Sequence, residues 1–201
     1  MSGYVVRIAH DQDTESPAEF DSQWRVYSFG RRHVNYRHPG DFFDGNGCPK
    51  LWLRNKLRTG LAHVLSYFEH GVGIWSLRGT GPQCRWDSVD VAGVAVWEHP
   101  PSYLGGKTPD ERAADCAAFL GEYNDWCNGH CYYYTIDKTD SCPTCAAEVR
   151  VELVDSCGGF IGEKAVAGAI RESMPEDATP ENTEVRGDAA WIAEYHNIYK
   201  A

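Results

Sequence analysis

One strongly marked helix limits what the chain can fold into. Thr108 and Glu111 form a Thr-x-x-Glu capping box, in which the two side chains satisfy free backbone N–H groups of a first helical turn. Pro109 stands between them at the position where a helix tolerates proline best. Small and apolar residues then recur at helical spacing up to Cys127, so the pattern predicts a helix over 109–127.

Short runs of β-forming residues lie on both sides of this helix. Before it, two such runs flank Gly71 and predict a tight hairpin over 64–77, and the apolar run 89–97 is typical of a central strand. After it, 131–137 and 147–155 predict a second hairpin. This order of elements predicts an α+β fold: an antiparallel or mixed β-sheet of about five strands, with helices packed mainly on one face.

Length and composition favour one domain with a C-terminal extension. The chain has 201 residues, of which 42% are hydrophobic and 24% are charged, as in ordinary globular domains. The acidic, proline-containing stretch 174–183 is typical of a linker, and 189–199 of a last short helix. We therefore predict a single α+β domain over 1–170, followed by a linker and short helix over 171–201.

Two features of the sequence bear on its location. Its apolar stretches fall short of the roughly 18–20 residues of a membrane span. Its first residues lack the charged start and apolar core of a secretion signal. We therefore expect a protein of the host cell cytoplasm, with no membrane partner.

Charge is distributed unevenly along the chain. Residues 1–70 have nine basic and eight acidic side chains, whereas 71–201 have ten and twenty-one, and the net charge is −10. A negative field repels nucleic acid, so the only segment suited to nucleic acid is the basic one from Arg31 to Arg58. The alternative for that segment is a solvated face.

Five motifs occur in a fixed order between about residues 10 and 165. They are Glu15-Ser16-Pro17-Ala18-Glu19-Phe20-Asp21, Tyr67-Phe68-Glu69-His70-Gly71, Cys84-Arg85-Trp86-Asp87-Ser88, Tyr123-Asn124-Asp125-Trp126 and Asp155-Ser156-Cys157-Gly158-Gly159-Phe160. In this order they resemble an uncharacterised family of phage and plasmid proteins. The resemblance implies a mobile-element accessory protein of the cytoplasm, and it implies no chemistry. The chain departs from the family pattern at 139–146 and beyond residue 170.

The departure at 139–146 contains a cysteine pair with the spacing of a metal half-site. Two thiolates in a tight turn, here Cys142 and Cys145, can bind one tetrahedral ion such as a structural zinc, the one cofactor that the sequence suggests. Cys127 and Cys131 are the nearest second pair, but an extended strand would hold the two pairs about 25 Å apart. A reversible disulfide between Cys142 and Cys145, or free thiols, are the alternatives.

Two further motifs combine cysteine with aspartate. The candidate binding residues that they supply are Trp86, Asp87, Asp155 and Cys157. A thiol enzyme would need a base beside Cys84 or Cys157, and His70 and His99 are candidates because each follows a predicted strand. The alternative is structural: Asp and Ser close turns, and a buried Cys packs as a small apolar residue.

Together these features favour a binding protein over an enzyme. The expected partner is a host protein contacted through the acidic surface, with counter-defence or regulation by charge mimicry as one form of this function. The alternative is a metal- or thiol-dependent enzyme that uses Cys84 or Cys157 with a nearby histidine.

Overall fold

The structure is a computed structural model that describes residues 3–21, 23–145 and 147–200. In chain order its strands and helices are β1 (Gly3–His10), β2 (Arg25–Ser28), α1 (Leu51–Arg58), β3 (Ala62–Glu69), β4 (Gly73–Leu77), β5 (Ser88–Val96), α2 (Pro109–Cys127), β6 (Cys131–Ser141), β7 (Glu148–Ile161), α3 (Glu163–Ser173), β8 (Thr183–Arg186) and α4 (Ile192–Tyr195). The fold is α+β, as the sequence predicts. Among the described residues, no helix combines the length and the apolar content that a bilayer crossing requires.

The chain folds into two compact units rather than one body over 1–170. The terminal unit consists of Met1–Glu15 and Gly129–Ala201, and the inserted unit is Ser16–Asn128. Each unit has its own four-stranded sheet, which replaces the single sheet of about five strands expected from the sequence. Pairing between β1 and the later strands closes the terminal unit, and such long-range pairing leaves no local signal in a sequence.

The sheet of the terminal unit has the strand order β7-β6-β1-β8. β1 is antiparallel to β6 and parallel to β8, and β6 and β7 form an antiparallel hairpin. Alternate residues of β1 and β6 pack on α3, whose Val166 and Ile170 are fully buried. This amphipathic pattern covers one face of the sheet and leaves the polar residues of the same strands on the other face.

The residues after 170 complete the terminal unit. β8 pairs with β1, and Ala189, Ile192 and Ile198 are fully buried in the same core as α3. The segment therefore does not form the linker expected from its acidic and proline-containing composition. Its widely spaced apolar residues bury themselves, while the acidic residues between them face solvent.

The sheet of the inserted unit has the order β2-β5-β3-β4 and is antiparallel throughout. The central strand β5 is apolar on both faces: Ala95 belongs to the core under α2, and Val94 belongs to the core that contains Leu53 of α1. A strand of this kind needs cover on both sides. Helices accordingly pack on both faces in this unit, and not mainly on one.

Irregular pairing bends the β6–β7 hairpin. Its register shifts between Tyr132 and Tyr134, between Ile136 and Asp137, and between Lys138 and Thr139. Extra residues on one strand bend it and increase its twist. β7 and β8 are the two edge strands of the sheet. Even so, Arg186 of β8 reaches Glu148 of β7 and donates to both of its carboxylate oxygens, at 2.9 and 3.1 Å. The sheet is therefore strongly curled on its polar face.

Candidate functional site

The turn before β5 brings together three chemically active side chains predicted from the sequence. The Glu69 N–H donates to the Asp87 carbonyl at 3.0 Å, which holds the turn beside the end of β3. His70 Nδ1 lies 3.2 Å from Asp87 Oδ2, and the Cys84 thiol donates to the same oxygen at 3.5 Å. His70 is thus next to the Cys84 motif, as expected.

The order of these groups does not suit thiol catalysis. Asp87 stands between Cys84 and His70, whereas a base that activates a thiol must contact the sulfur itself. The other predicted base, His99, packs against Trp97 with ring centroids 5.6 Å apart. Cys157, the other candidate nucleophile, belongs to the terminal unit and Cys84 to the inserted unit. The arrangement can present polar groups at a surface, but it does not assemble a thiol–imidazole pair.

Trp86 is the most exposed aromatic residue of this turn. Its side chain is 81% exposed, and the Arg85 guanidinium lies 5.0 Å from its ring centroid. Trp and Arg are the residue types most enriched among interface residues that dominate binding energy. The turn therefore has the character of a contact surface.

Asp155, another predicted binding residue, fastens helix α3 to the sheet. The Tyr134 hydroxyl donates to Asp155 Oδ2 at 2.7 Å and lies 2.9 Å from the Ser173 hydroxyl at the end of α3. Hydrogen bonds from Ser173 and Tyr134 lower the pKa of Asp155, and burial with the bond to Asp155 raises the pKa of Tyr134 to about 12. Cys157 lies nearby on β7 and is exposed. These contacts give Asp155 a structural role.

The Cys142–Cys145 pair lies at the tip of the β6–β7 hairpin. The Cys142 N–H donates to the Ala147 carbonyl at 2.8 Å and closes the turn. Hydrogen bonds to Cys142 from the backbone of Thr144 and Cys145 lower the pKa of the Cys142 thiol. Successive N–H groups that converge in this way stabilise an anion, here the thiolate.

The described residues around this pair do not complete a metal site, and a structural zinc stays a prediction. Within the described parts of the chain, no three His, Cys, Asp or Glu side chains are grouped so that they could hold a metal ion. Cys131 begins β6, whereas Cys142 follows its other end, so the extended strand keeps these two cysteines apart, as the sequence predicts. Cys127 ends α2 in the inserted unit.

Part of the basic segment from Arg31 to Arg58 is used within the fold. Lys56 donates to the Trp97 carbonyl, and Arg54 donates to the Pro49 carbonyl at 3.3 Å. These contacts use two of the basic side chains inside the fold, and a nucleic-acid interface on the rest of the segment stays a prediction.

A charged cluster on the polar face of the terminal sheet could not be placed from the sequence. Asp137 of β6 is 7% exposed; its Oδ1 lies 2.7 Å from Arg150 Nε and its Oδ2 lies 4.0 Å from Arg7 Nε. These three residues come from different strands, and the shifted register of β6 and β7 decides which of them meet. The sequence feature that could have pointed to this cluster is the presence of charged residues, such as Arg7 and Asp137, inside otherwise apolar strands.

Negative charge is concentrated in one unit. The terminal unit has 7 basic and 16 acidic residues and a net charge of −9, whereas the inserted unit has 12 and 13 and a net charge of −1. The split is sharper than the one seen along the sequence because the two ends of the chain join in one body.

No family model matches the chain, and neither the curated proteins nor the solved structures contain a significant match. The function therefore has to be inferred from the geometry and charge of the two units.

Proposed function

We propose that the protein is a cytoplasmic accessory protein of a mobile element that binds a basic surface of a host protein through its terminal unit. The observation that carries this proposal is the charge of that unit, which holds nine of the ten net negative charges. A field of this kind attracts basic partners and accelerates their association. A DNA-binding groove is one such surface, so the protein would compete with DNA for it, as in counter-defence or regulation.

The C-terminal segment supplies much of this charge. Its exposed acidic residues are Glu172, Glu176, Asp177, Glu181, Glu184, Asp188 and Glu194. Arg186 is the only lysine or arginine between the first and last of them, and it is already paired with Glu148 and Glu184. The acidic surface is therefore largely uncompensated by nearby basic groups.

A binding function agrees better with the geometry than the alternative thiol enzyme. The Cys84 thiol donates to a carboxylate instead of to an imidazole, and a thiol acts as a nucleophile only after it loses its proton. The exposed Trp86 beside Arg85 adds an aromatic contact residue in the inserted unit.

The test is affinity capture of host proteins at about 50 mM and about 200 mM salt. A triple variant, Glu172→Gln, Glu176→Gln and Glu194→Gln, removes three exposed charges from the terminal unit. A matched triple variant, Asp21→Asn, Asp41→Asn and Glu122→Gln, removes three exposed charges from the inserted unit. We expect a basic partner that is captured at low salt, released at the higher salt and bound more weakly by the first variant only.

If the protein acts by charge mimicry, its addition should displace duplex DNA from the captured partner. Equal loss of the partner in both triple variants would assign binding to overall charge and not to the terminal unit. Capture of no salt-sensitive partner would contradict the proposal itself.

A further inference from the structure

We propose that the polar face of the terminal sheet holds a binding site for the phosphate group of a small phosphorylated molecule, formed by Arg7 and Arg150 with the hydroxyls of Thr135 and Ser156. These four side chains, with Asp137 and Leu153, line a cleft of about 390 Å³. This volume falls within the roughly 300–1,000 Å³ of small-molecule sites. The site is independent of the acidic surface proposed above to bind a host protein.

The strand register explains why these side chains meet. Arg7 of β1 lies directly opposite Thr135 of β6, and Asp137 follows two positions later on the same face. On the other side of β6, Asp137 pairs with Leu153 of β7. Residues from three strands therefore converge on one concave surface, which the curl of the sheet deepens.

Asp137 lies between the two arginines. Arg150 Nε is 2.7 Å from Asp137 Oδ1 and Arg7 Nε is 4.0 Å from Oδ2. These are charge contacts only, because Asp137 Oδ1 is buried and makes no hydrogen bond among the described residues. In the described part of the structure, neither guanidinium uses its terminal nitrogens in another ion pair. Two guanidinium groups with free terminal N–H donors match the oxygens of a phosphate, and such charge-assisted bonds are the strong ones.

The buried hydroxyl of Thr135, which also lines the cleft, lacks a hydrogen-bond partner among the described residues. A buried polar atom left unpaired costs free energy, and rotation of the Thr135 hydroxyl toward a ligand oxygen in the cleft would relieve this cost. Ser156 offers a second hydroxyl, and Leu153 provides an apolar wall for the remainder of the ligand.

A third arginine on the same sheet, Arg186, differs from these two because carboxylates within the fold pair with its terminal nitrogens. Arg186 of β8 lies beside Arg7 in the parallel register, but it bonds to Glu184 and to both carboxylate oxygens of Glu148. Its charge is thus neutralised inside the fold. Arg7 and Arg150 share the carboxylate of Asp137, and Arg7 also lies near enough to Glu184 to help, after Arg186, to lower the pKa of that carboxyl.

The test is calorimetric titration with inorganic phosphate and with adenosine monophosphate. We expect both to bind at one site, with the monophosphate ester at least as tight, and each of Arg7→Gln and Arg150→Gln to weaken binding by about tenfold or more. Lys164→Gln is the matched control, because it removes one exposed charge from the same unit outside the cleft; it should bind like the unaltered protein. Arg150→Lys keeps the charge and loses the planar fork, so it should bind at an intermediate strength.

Circular dichroism establishes that each variant is folded, and Arg150→Lys or Arg7→Gln decides the outcome if Arg150→Gln does not fold. Unchanged affinity in the folded arginine variants would overturn the proposal. So would binding of inorganic phosphate without adenosine monophosphate, or tighter binding of a dicarboxylate such as succinate.

Discussion

At the scale of single residues, the fold moves titratable groups in opposite directions according to their surroundings. Burial lowers the pKa of His63, which packs on Trp24 with ring centroids 5.3 Å apart. Burial raises the pKa of the fully buried Cys116 thiol, whereas backbone hydrogen bonds lower that of Cys142. Desolvation disfavours the charged form of a group, and hydrogen bonds to the charged form favour it.

His63 makes stability depend on pH. Its pKa is lower in the folded state than the ordinary value of about 6.5, so the unfolded chain binds more protons over the pH range between the two values. The stabilisation is therefore complete above about pH 6.5 and is lost as pH falls below it. We expect His63→Asn to show a smaller loss of unfolding free energy between neutral and mildly acidic pH, measured by urea denaturation. An equal loss in both proteins would contradict this role.

Cys142 is expected to be the most reactive thiol at neutral pH. Its lowered pKa gives a larger thiolate fraction, and that fraction rises further with pH. Timed alkylation with iodoacetamide and peptide mass spectrometry should label Cys142 before the exposed Cys48, and the buried Cys116 last. Labelling of Cys48 as fast as Cys142 would contradict the prediction.

A structural zinc at the same cysteine pair stays a prediction. Cys142 and Cys145 supply two thiols, half of a tetrahedral ligand set. Metal analysis of the purified protein and of a Cys142→Ser variant tests it: zinc that disappears in the variant supports the site, and equal zinc in both proteins contradicts it.

At the scale of elements, local sequence signals were decisive where their partners lie close in the chain. The helix predicted over 109–127 is α2, with both halves of the capping box in place. The two predicted hairpins also form, although β6 and β7 extend beyond the predicted strands. The bulges between β6 and β7, which place Arg150 beside Asp137, have no such signal, because register depends on pairing and not on composition.

The cap of α2 gives a direct test at this scale. The Glu111 N–H donates to Thr108 Oγ1 at 3.2 Å, and the Thr108 N–H donates to the Glu111 carboxylate at 2.9 Å. We expect Thr108→Ala to lower the free energy of unfolding by about 1 kcal/mol. Thr108→Ser keeps the hydroxyl and is the control. A urea midpoint for Thr108→Ala equal to that of the unaltered protein would show that the cap does not contribute.

At the scale of the whole molecule, one unit is inserted into a loop of the other. The Asp11 N–H donates to the Cys131 carbonyl at 2.8 Å, so the chain leaves the terminal unit and returns to it at neighbouring positions. The sequence predicts one domain over 1–170, since composition does not change at residues 15 and 129. The division follows from which strands pair, and it was not available from local patterns.

This arrangement predicts that both units fold separately. Residues 16–128 contain their own sheet and cores, and a short Gly-Ser linker should be able to join residues 15 and 129. We expect each fragment to unfold cooperatively on heating, followed by circular dichroism. Gradual, uncooperative melting of either fragment would contradict their independence.

The insertion also dictates an order of events during synthesis. β1 leaves the ribosome first, but β6 and β8, the strands between which it lies, are made only after the entire inserted unit. The inserted unit can fold while the backbone N–H and C=O groups of β1 are still unpaired. An apolar strand in this state is prone to pair with other chains. The apolar residues of β1 therefore stay without their sheet partners until residues 131–186 have been synthesised.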